Sequence, residues 1–555
     1  MSVGDPAGVV VSYFAVEVIE LAMTIPQSTR RWLGLIAIAL GVALIIVDST
    51  IVNVIIPSII DDLGVSSAQS QWIQESYAIV FAALLLLVGR IADIIGARRV
   101  FITGVIVFGA SSLLAGMASS GGLLIGARFL QGVGGAMILP SSLALLNAMF
   151  TGSARGKAFA VWGSTIGAAS ALGPLLGGWL AEHASWRWAF GINIPLAVLI
   201  LIGCLLFIDR SPRGSGRIDV LGTALSVAGL GLLAFGLIEG RTYGWFRTTE
   251  RFDLLGISWS GGVSPVFVAL VVSVLTLAAF TIRQHRLSHG ANPDKALMDT
   301  RLFSIPSFRG GNIATVLIGL GEFGIISVLP LWLQFALGYS SVQAGLMLVP
   351  LAIGSFVASG ASFVMAEKVS ALNLVRLGLL LEVIGLAGLG FVAAVDTPWW
   401  QLAIVLFIYG IGVGFATAQV TNVVLADVPD RSAGQGSGIQ STFRQLGSAL
   451  GIAVLTTTFF TVLSSHLRSS LAGTPGVDGI ARAVTDSAGG AIAGFAARPE
   501  TEFIAKAARA AMTHGITLGG YIAAGFLVVG LLATALIPSS SAPAEVSDDR
   551  ESAAS

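Results

Sequence analysis

The segment Gly89-Arg90-Ile91-Ala92-Asp93-Ile94-Ile95-Gly96-Ala97-Arg98-Arg99 joins two long apolar runs, 72-92 and 100-118. Its glycines permit a tight reversal and a close helix approach. Asp93 can cap a helix or pair with an arginine across a bundle. A turn this short makes the flanking runs antiparallel neighbours, and each is about long enough to cross the hydrocarbon core of a bilayer.

Outward from this turn the same unit repeats. Apolar stretches occupy 33-56, 72-92, 100-118, 122-148, 158-180, 190-208, 219-240, 264-283, 310-335, 341-363, 372-394, 400-424, 437-462 and 516-538, with short polar turns between all but the last two. The expected fold is an all-α integral membrane protein of fourteen transmembrane helices. Composition agrees: 55% of residues are hydrophobic and 11% charged, against roughly 25% charged in a soluble domain. Thirty basic residues balance thirty acidic ones, so net charge points to no nucleic acid or acidic partner. Cys204 is the single cysteine and lies inside a span, so it makes no intrachain disulfide.

An even number of spans puts both termini on one side, and basic residues choose that side. The N-terminus and alternate loops carry most of them, among them Arg30, Arg31, Arg90, Arg155, Lys157, Arg210, Arg213, Arg217 and Arg286, whereas the opposite short loops hold only Arg187, Arg241, Arg247 and Arg251. Both termini are expected in the cytoplasm, with the chain in the inner (plasma) membrane. Residues 463-515 are the exception, an outer loop with Arg468, Arg482, Arg498, Lys506 and Arg509 that reads either as a solvated cap or as a partner-binding domain. Trp245, Trp259, Trp399 and Trp400 suit an aromatic belt. Residues 1-32 read as a cytoplasmic N-terminal segment without the basic start of a signal peptide. Within it, 9-23 is either a surface helix or sequence upstream of a true start at Met23. Residues 539-555 read as a disordered cytoplasmic tail.

The turn at 89-99 resembles the signature loop of the major facilitator superfamily, with Ile94 and Ala97 where that family usually has basic residues. Three further segments are similar to the fourteen-helix drug:proton antiporters of the multidrug-efflux type. Span 1 carries Asp48-Ser-Thr50-Ile-Val-Asn53-Val-Ile-Ile-Pro57. Span 4 carries Arg128-Phe-Leu-Gln131-Gly132-Val-Gly134-Gly135, like the motif whose arginine is implicated in proton coupling. Span 5 carries Gly163, Gly167, Gly173-Pro174 and Gly177-Gly178, like the antiporter motif that marks exporters. With the span count, the resemblance covers nearly the whole chain. It implies two six-helix bundles, 33-210 and 310-538, with the substrate site between them near the midplane. It also implies a linker and two extra helices at 211-283, a cytoplasmic loop at 284-309, and a cytoplasmic gating latch at Gly89, Asp93, Gly96, Arg98 and Arg99, weakened by Ile94 and Ala97.

Ionisable groups at bilayer depth are costly, at least about 2.5 kcal/mol on insertion scales, so each is a candidate for function. Asp48 lies about nine residues below the outer end of span 1 and Arg128 about six below that of span 4, at comparable depth. They form either a proton-coupled pair or a structural bridge. Glu322, amid Gly319, Gly321 and Gly324 near the middle of span 9, is the first choice as proton carrier or counter-ion for a cationic substrate, and Glu382 in span 11 the second. Glu75 sits near the outer end of span 2, where a surface role is expected. Arg444 in span 13 suits a structural contact. Trp162, Phe323, Trp332 and Phe415 either line an aromatic substrate cavity or pack in the core.

The nearest approach to a phosphate-cradling loop, Gly152-Ser-Ala-Arg-Gly156-Lys157-Ala158, has the wrong spacing. Energy is therefore expected from the proton gradient, with no cofactor, no metal and no enzymatic activity. The expected function is proton-coupled efflux of an amphipathic, cationic small molecule by alternating access, by a monomer in the lipid bilayer. Export of an endogenous lipid or secondary metabolite is the alternative on the same scaffold, and a channel or receptor the remote one.

Overall fold

The computed structural model describes residues 26–537 apart from 66, 215, 255–256, 292 and 366–367. The segment 9-23, the choice of start and the tail 539-555 lie outside the described residues. Long helices dominate: α1 (Gln27–Leu63), α2 (Ser67–Ile95), α3 (Ala97–Gly116), α4 (Gly121–Met149), α5 (Gly152–His183), the short α6 (Arg187–Gly191) leading into α7 (Asn193–Phe207), α8 (Val220–Tyr243) and α9 (Pro265–Ser288). After them come α10 (Pro306–Phe335), α11 (Ser341–Met365), α12 (Ala371–Val392), α13 (Trp399–Leu425), α14 (Ala433–Ser470), α15 (Val477–Asp486), α16 (Ala491–Ala496) and α17 (Glu502–Ala533).

Local signals set several ends. Gly64 stops α1 in the left-handed conformation, its N–H bonded to the Ile60 carbonyl. Ser264 accepts from the Val266 N–H ahead of α9, whose first residue is Pro265. Among the described residues, thirteen helical segments are long and apolar enough to cross a membrane, with α6 and α7 counted as one. The expected span at 158-180 falls on α5, a 32-residue helix outside that set.

In the first half, α1 packs on α5 and α7, and α4 on α2 and α3. In the second, α10 packs on α14 and α17, α12 on α13 and α17, and α11 on α13. Two seams join the halves, α2 with α14 and α5 with α11. Each seam sets the second helix of one half against the fifth of the other, as a two-fold axis along the membrane normal requires. The α8–α9 pair lies beside this assembly, with α8 against α2 and α14.

Of residues 463-515, those up to Ser470 continue α14 and those from Glu502 belong to α17. What remains folds as α15 and α16, tied down by an Arg468–Asp478 ion pair at 3.0 Å and by Arg241 donating to the Thr485 carbonyl. Among the described residues, this nearly all-helical fold also carries one antiparallel strand pair, β1 (Phe252–Leu254) with β2 (Ile257–Trp259), between α8 and α9.

Candidate functional site

Asp48 on α1 and Arg128 on α4 meet inside the first half, where both are almost wholly buried. Arg128 Nη1 donates to Asp48 Oδ2 at 2.5 Å and to Gln131 Oε1 at 2.9 Å, and its Nε donates to the Ile73 carbonyl at 3.1 Å. Asp48 Oδ1 accepts from Gln131 Nε2 at 3.0 Å and from Asn193 Nδ2 at 2.8 Å. Ser112 on α3 accepts from both amides, and the Tyr77 ring lies 4.6 Å from the guanidinium. One carboxylate thus joins α1, α4 and α7, its charge matched and its lone pairs occupied, as a buried ion pair requires. The span 5 glycines allow this closeness. A Cβ on Gly173 would stand 3.1 Å from the Val47 carbonyl and one on Gly177 2.9 Å from Ile51 Cγ1, so α5 presses on the turn that carries Asp48. Gly167 faces Ser355 of α11 across the seam, Gly163 is buried, and Gly178 borders open space. The side chains of Asn53, Pro57 and Pro174 are outside the described set.

The second half holds its own charged centre. Glu322 on α10 is buried, and its Oε1 accepts from Thr417 Oγ1 on α13 at 2.9 Å. The Tyr409 hydroxyl donates to its backbone carbonyl at 3.2 Å. Glu382 on α12 is completely buried, and neither carboxylate oxygen has a hydrogen-bond partner. A carboxylate left that way is far costlier than the neutral acid. Arg444 on α14 interacts electrostatically with both glutamates and lies 5.8 Å from the Phe323 ring centroid. Glycine again makes room, since a Cβ on Gly412 would come within 2.6 Å of Glu382 Cγ. Sequence reasoning ranked Glu322 above Glu382 and gave Arg444 a structural contact; the three interact electrostatically, and Glu382 lacks the hydrogen bond that Glu322 has.

The 89–99 turn closes the side on which α1 begins. Asp93 Oδ1 accepts from the Gly434 N–H at 2.6 Å and Oδ2 from the Gln435 N–H at 2.8 Å, capping the first turn of α14. Gly89 crosses α14 where a Cβ would stand 3.0 Å from Gly438 Cα. Gly96 has φ 96°, a conformation that favours glycine. Arg98 donates to the Cys204 and Leu205 carbonyls at the end of α7, while Arg99 stays at the surface and reaches only the Ile95 carbonyl. Arg90 binds the Asp294 carbonyl. At the other seam Arg155 Nε donates to Asn422 Oδ1 at 3.2 Å.

The four aromatic candidates are not brought together. Trp162 and Trp332 are buried with their indole N–H groups bonded to Ser142 and Thr513, Phe415 packs with Ala358 and Leu374, and Phe323 lies beneath Arg444. Several functional-looking groups received no role from sequence reasoning. Gln131, quoted only as part of the span 4 motif, and Asn193 complete the Asp48 centre. Gln435 accepts from the Asp299 N–H at 2.9 Å, binding the 293–304 segment to α14. Glu239 on α8 is wholly buried and hydrogen-bonded to the side chain of Glu75, so Glu75 is half-buried in a contact rather than free at the surface. A glutamate in an apolar run was the available signal for Glu239.

The fold, rather than the detail of these centres, can be set beside known proteins. The chain is 35% identical over 448 residues to a puromycin resistance protein of Streptomyces alboniger, covering 79% of this chain and 84% of that one. It is 32% identical over 504 residues to the multidrug efflux pump LfrA of Mycolicibacterium smegmatis (89% and 94%), and 34% identical over 432 residues to a cephamycin export protein of Amycolatopsis lactamdurans (75% and 82%). The fold resembles that of the human organic anion transporter MFSD10, with a TM-score of 0.57 at 14% identity over 91% of this chain and 99% of that one. The proton:xylose symporter XylE gives 0.56 at 14% identity, over 91% and 95%. The model of the Major Facilitator Superfamily matches residues 38–452, and the chain belongs to that family of membrane transporters.

Proposed function

We propose that the protein exports amphipathic drug-like molecules in exchange for protons, with the side that holds the 89–99 latch facing the cytoplasm. The observation that carries the proton side of this reading is Glu382, a fully buried carboxyl with neither oxygen hydrogen-bonded, in electrostatic contact with Glu322 and Arg444. Glu382 holds a proton in this state. Glu322 keeps its hydrogen bond to Thr417 and serves with Arg444 as the charge that responds when the proton leaves. A proton arriving from outside neutralises the centre, and its departure to the cytoplasm restores a negative site for a cationic substrate. Asp48 and Arg128 form the counterpart in the first half and report its movement through α1, α4 and α7.

The relatives named for puromycin resistance, cephamycin export and multidrug efflux support the export of small organic molecules. The cephamycin relative also favours a second reading, in which the natural cargo is a secondary metabolite. Growth of cells with and without the transporter on panels of toxic cations, together with profiling of secreted metabolites, separates the two. Proton coupling is tested by Glu382→Gln in proteoliposomes with an imposed pH gradient. Loss of gradient-driven transport is expected, with cation binding weakened and no longer dependent on pH, and wild-type pH dependence in that variant would overturn the assignment.

A further inference from the structure

On the side where α1 begins, a cleft of about 200 Å³ opens between the start of α1, the end of α4 and the end of α7. Its rim carries Arg30, Arg31 and Arg210, and its floor includes Met149, Phe207 and Ile208. Arg98, bonded to the Cys204 and Leu205 carbonyls behind the cleft, stands within electrostatic range of Arg30 and Arg210 and adds to its positive charge. Among the described residues lining it, Asp209 is the one carboxylate. It binds Arg30 Nη2 at 3.0 Å through a largely exposed side chain, a kind of pair that contributes little. Arg30 Nε is buried and without a hydrogen-bond partner. The cleft therefore has excess positive charge and an unused donor.

Its place in the fold selects the kind of anion. Both helix ends sit where membrane spans leave the hydrocarbon core, at headgroup depth. The outward faces of α1 and α7 beneath it are exposed and apolar, with Ile36 53% and Leu205 60% accessible. These faces form a track for acyl chains that ends at the arginines. A soluble anion has no use for that track or for an apolar floor. We propose that this cleft binds the phosphodiester headgroup of an anionic phospholipid from the adjoining leaflet, with its chains laid along α1 and α7. Basic pockets between transmembrane helices recognise such headgroups by charge and guanidinium hydrogen bonds. The inference stands apart from the exporter reading, since a protein with any cargo could hold this lipid.

The test uses the purified, delipidated full chain in neutral detergent. Retained lipid is measured by native mass spectrometry and thermal stability is followed as phosphatidylglycerol or phosphatidylcholine is added. Wild type should retain and be stabilised by phosphatidylglycerol in preference to phosphatidylcholine. Removing the charges with Arg30→Gln, Arg31→Gln and Arg210→Gln should lower phosphatidylglycerol affinity about fivefold per arginine and abolish the stabilisation. Arg217→Gln, Arg286→Gln and Arg431→Gln, an equal charge loss away from the cleft, should leave the preference intact. If the triple change fails to fold, Arg31→Gln alone, on an exposed side chain, should still show its share of the loss. No lipid preference in wild type, or an unchanged preference in the arginine variants, would overturn the proposal. Displacement of the lipid by inorganic pyrophosphate as readily as by phosphatidylglycerol would also do so, by assigning the cleft to a soluble anion.

Discussion

Arg128 Nη1 lies 2.5 Å from Asp48 Oδ2, joining α4 to α1 where both side chains are cut off from solvent. Removing one partner leaves the other charge buried, a loss of about 3–5 kcal/mol. Arg128→Ala should therefore destabilise the protein strongly and Asp48→Asn measurably. The double change should be milder than the sum, with a coupling of roughly 0.5–3 kcal/mol. Thermal unfolding in detergent gives the cycle, and strict additivity would show that the contact contributes nothing.

Glu322→Gln and Glu382→Gln separate the two carboxyls of the second half. Glutamine at 382 replaces a group with no hydrogen-bond partner and should fold at near-wild-type stability while losing proton-driven transport. At 322 the amide oxygen can still accept from Thr417, so folding should persist and pH dependence should flatten. Transport rates across a pH series decide, and normal profiles in both variants would remove these residues from the coupling path.

Asp93→Asn should loosen the closed side. A carboxylate accepts from both the Gly434 and Gln435 N–H groups, whereas an amide offers one oxygen. Hydrogen bonds to charged groups contribute about 1.5–3 kcal/mol, enough to shift the open population roughly tenfold or more. Thiol labelling of Ser437→Cys, buried at this seam, in a Cys204→Ala background should accelerate accordingly. An unchanged rate would mean that Gly89 packing alone closes the seam.

At the opposite side, the Arg187 guanidinium and then the Trp186 indole hold the Asp62 carboxyl below the ordinary carboxylate range. A depressed folded value gives stabilisation that is present above the unfolded value, about 3.9, and is lost as pH falls through the lower folded value. Asp62 is exposed, so the effect is local: Trp186 should become more exchangeable in strongly acidic solution. Asp62→Asn should remove that acid dependence. Hydrogen exchange resolved at Trp186 is the readout.

The long apolar runs were legible because lipid imposes one rule on every lipid-facing residue, and the 89–99 turn because its charges and glycines serve one junction. Residues 433–436 were harder. Gly434, Gln435 and Gly436 lie ahead of the expected span at 437-462, yet all are buried at the start of α14 against the other half. Polarity there reports a helix seam rather than water. Asn193 was illegible for a related reason, since its partner Asp48 lies far away in sequence and a neutral amide in a span has no pattern of its own, and Gln131 was visible in the span 4 motif but without a role. Glu382 was visible as a charge in lipid, but its lack of a partner is a three-dimensional property.

The most direct measurement follows drug movement and internal pH together in inside-out vesicles of a host that makes the protein. Imposing a pH gradient with the vesicle interior acidic should drive uptake of an amphipathic cation with simultaneous proton release, and a protonophore should abolish both. Uptake that continues with the gradient clamped at zero and ATP supplied would contradict proton-coupled export.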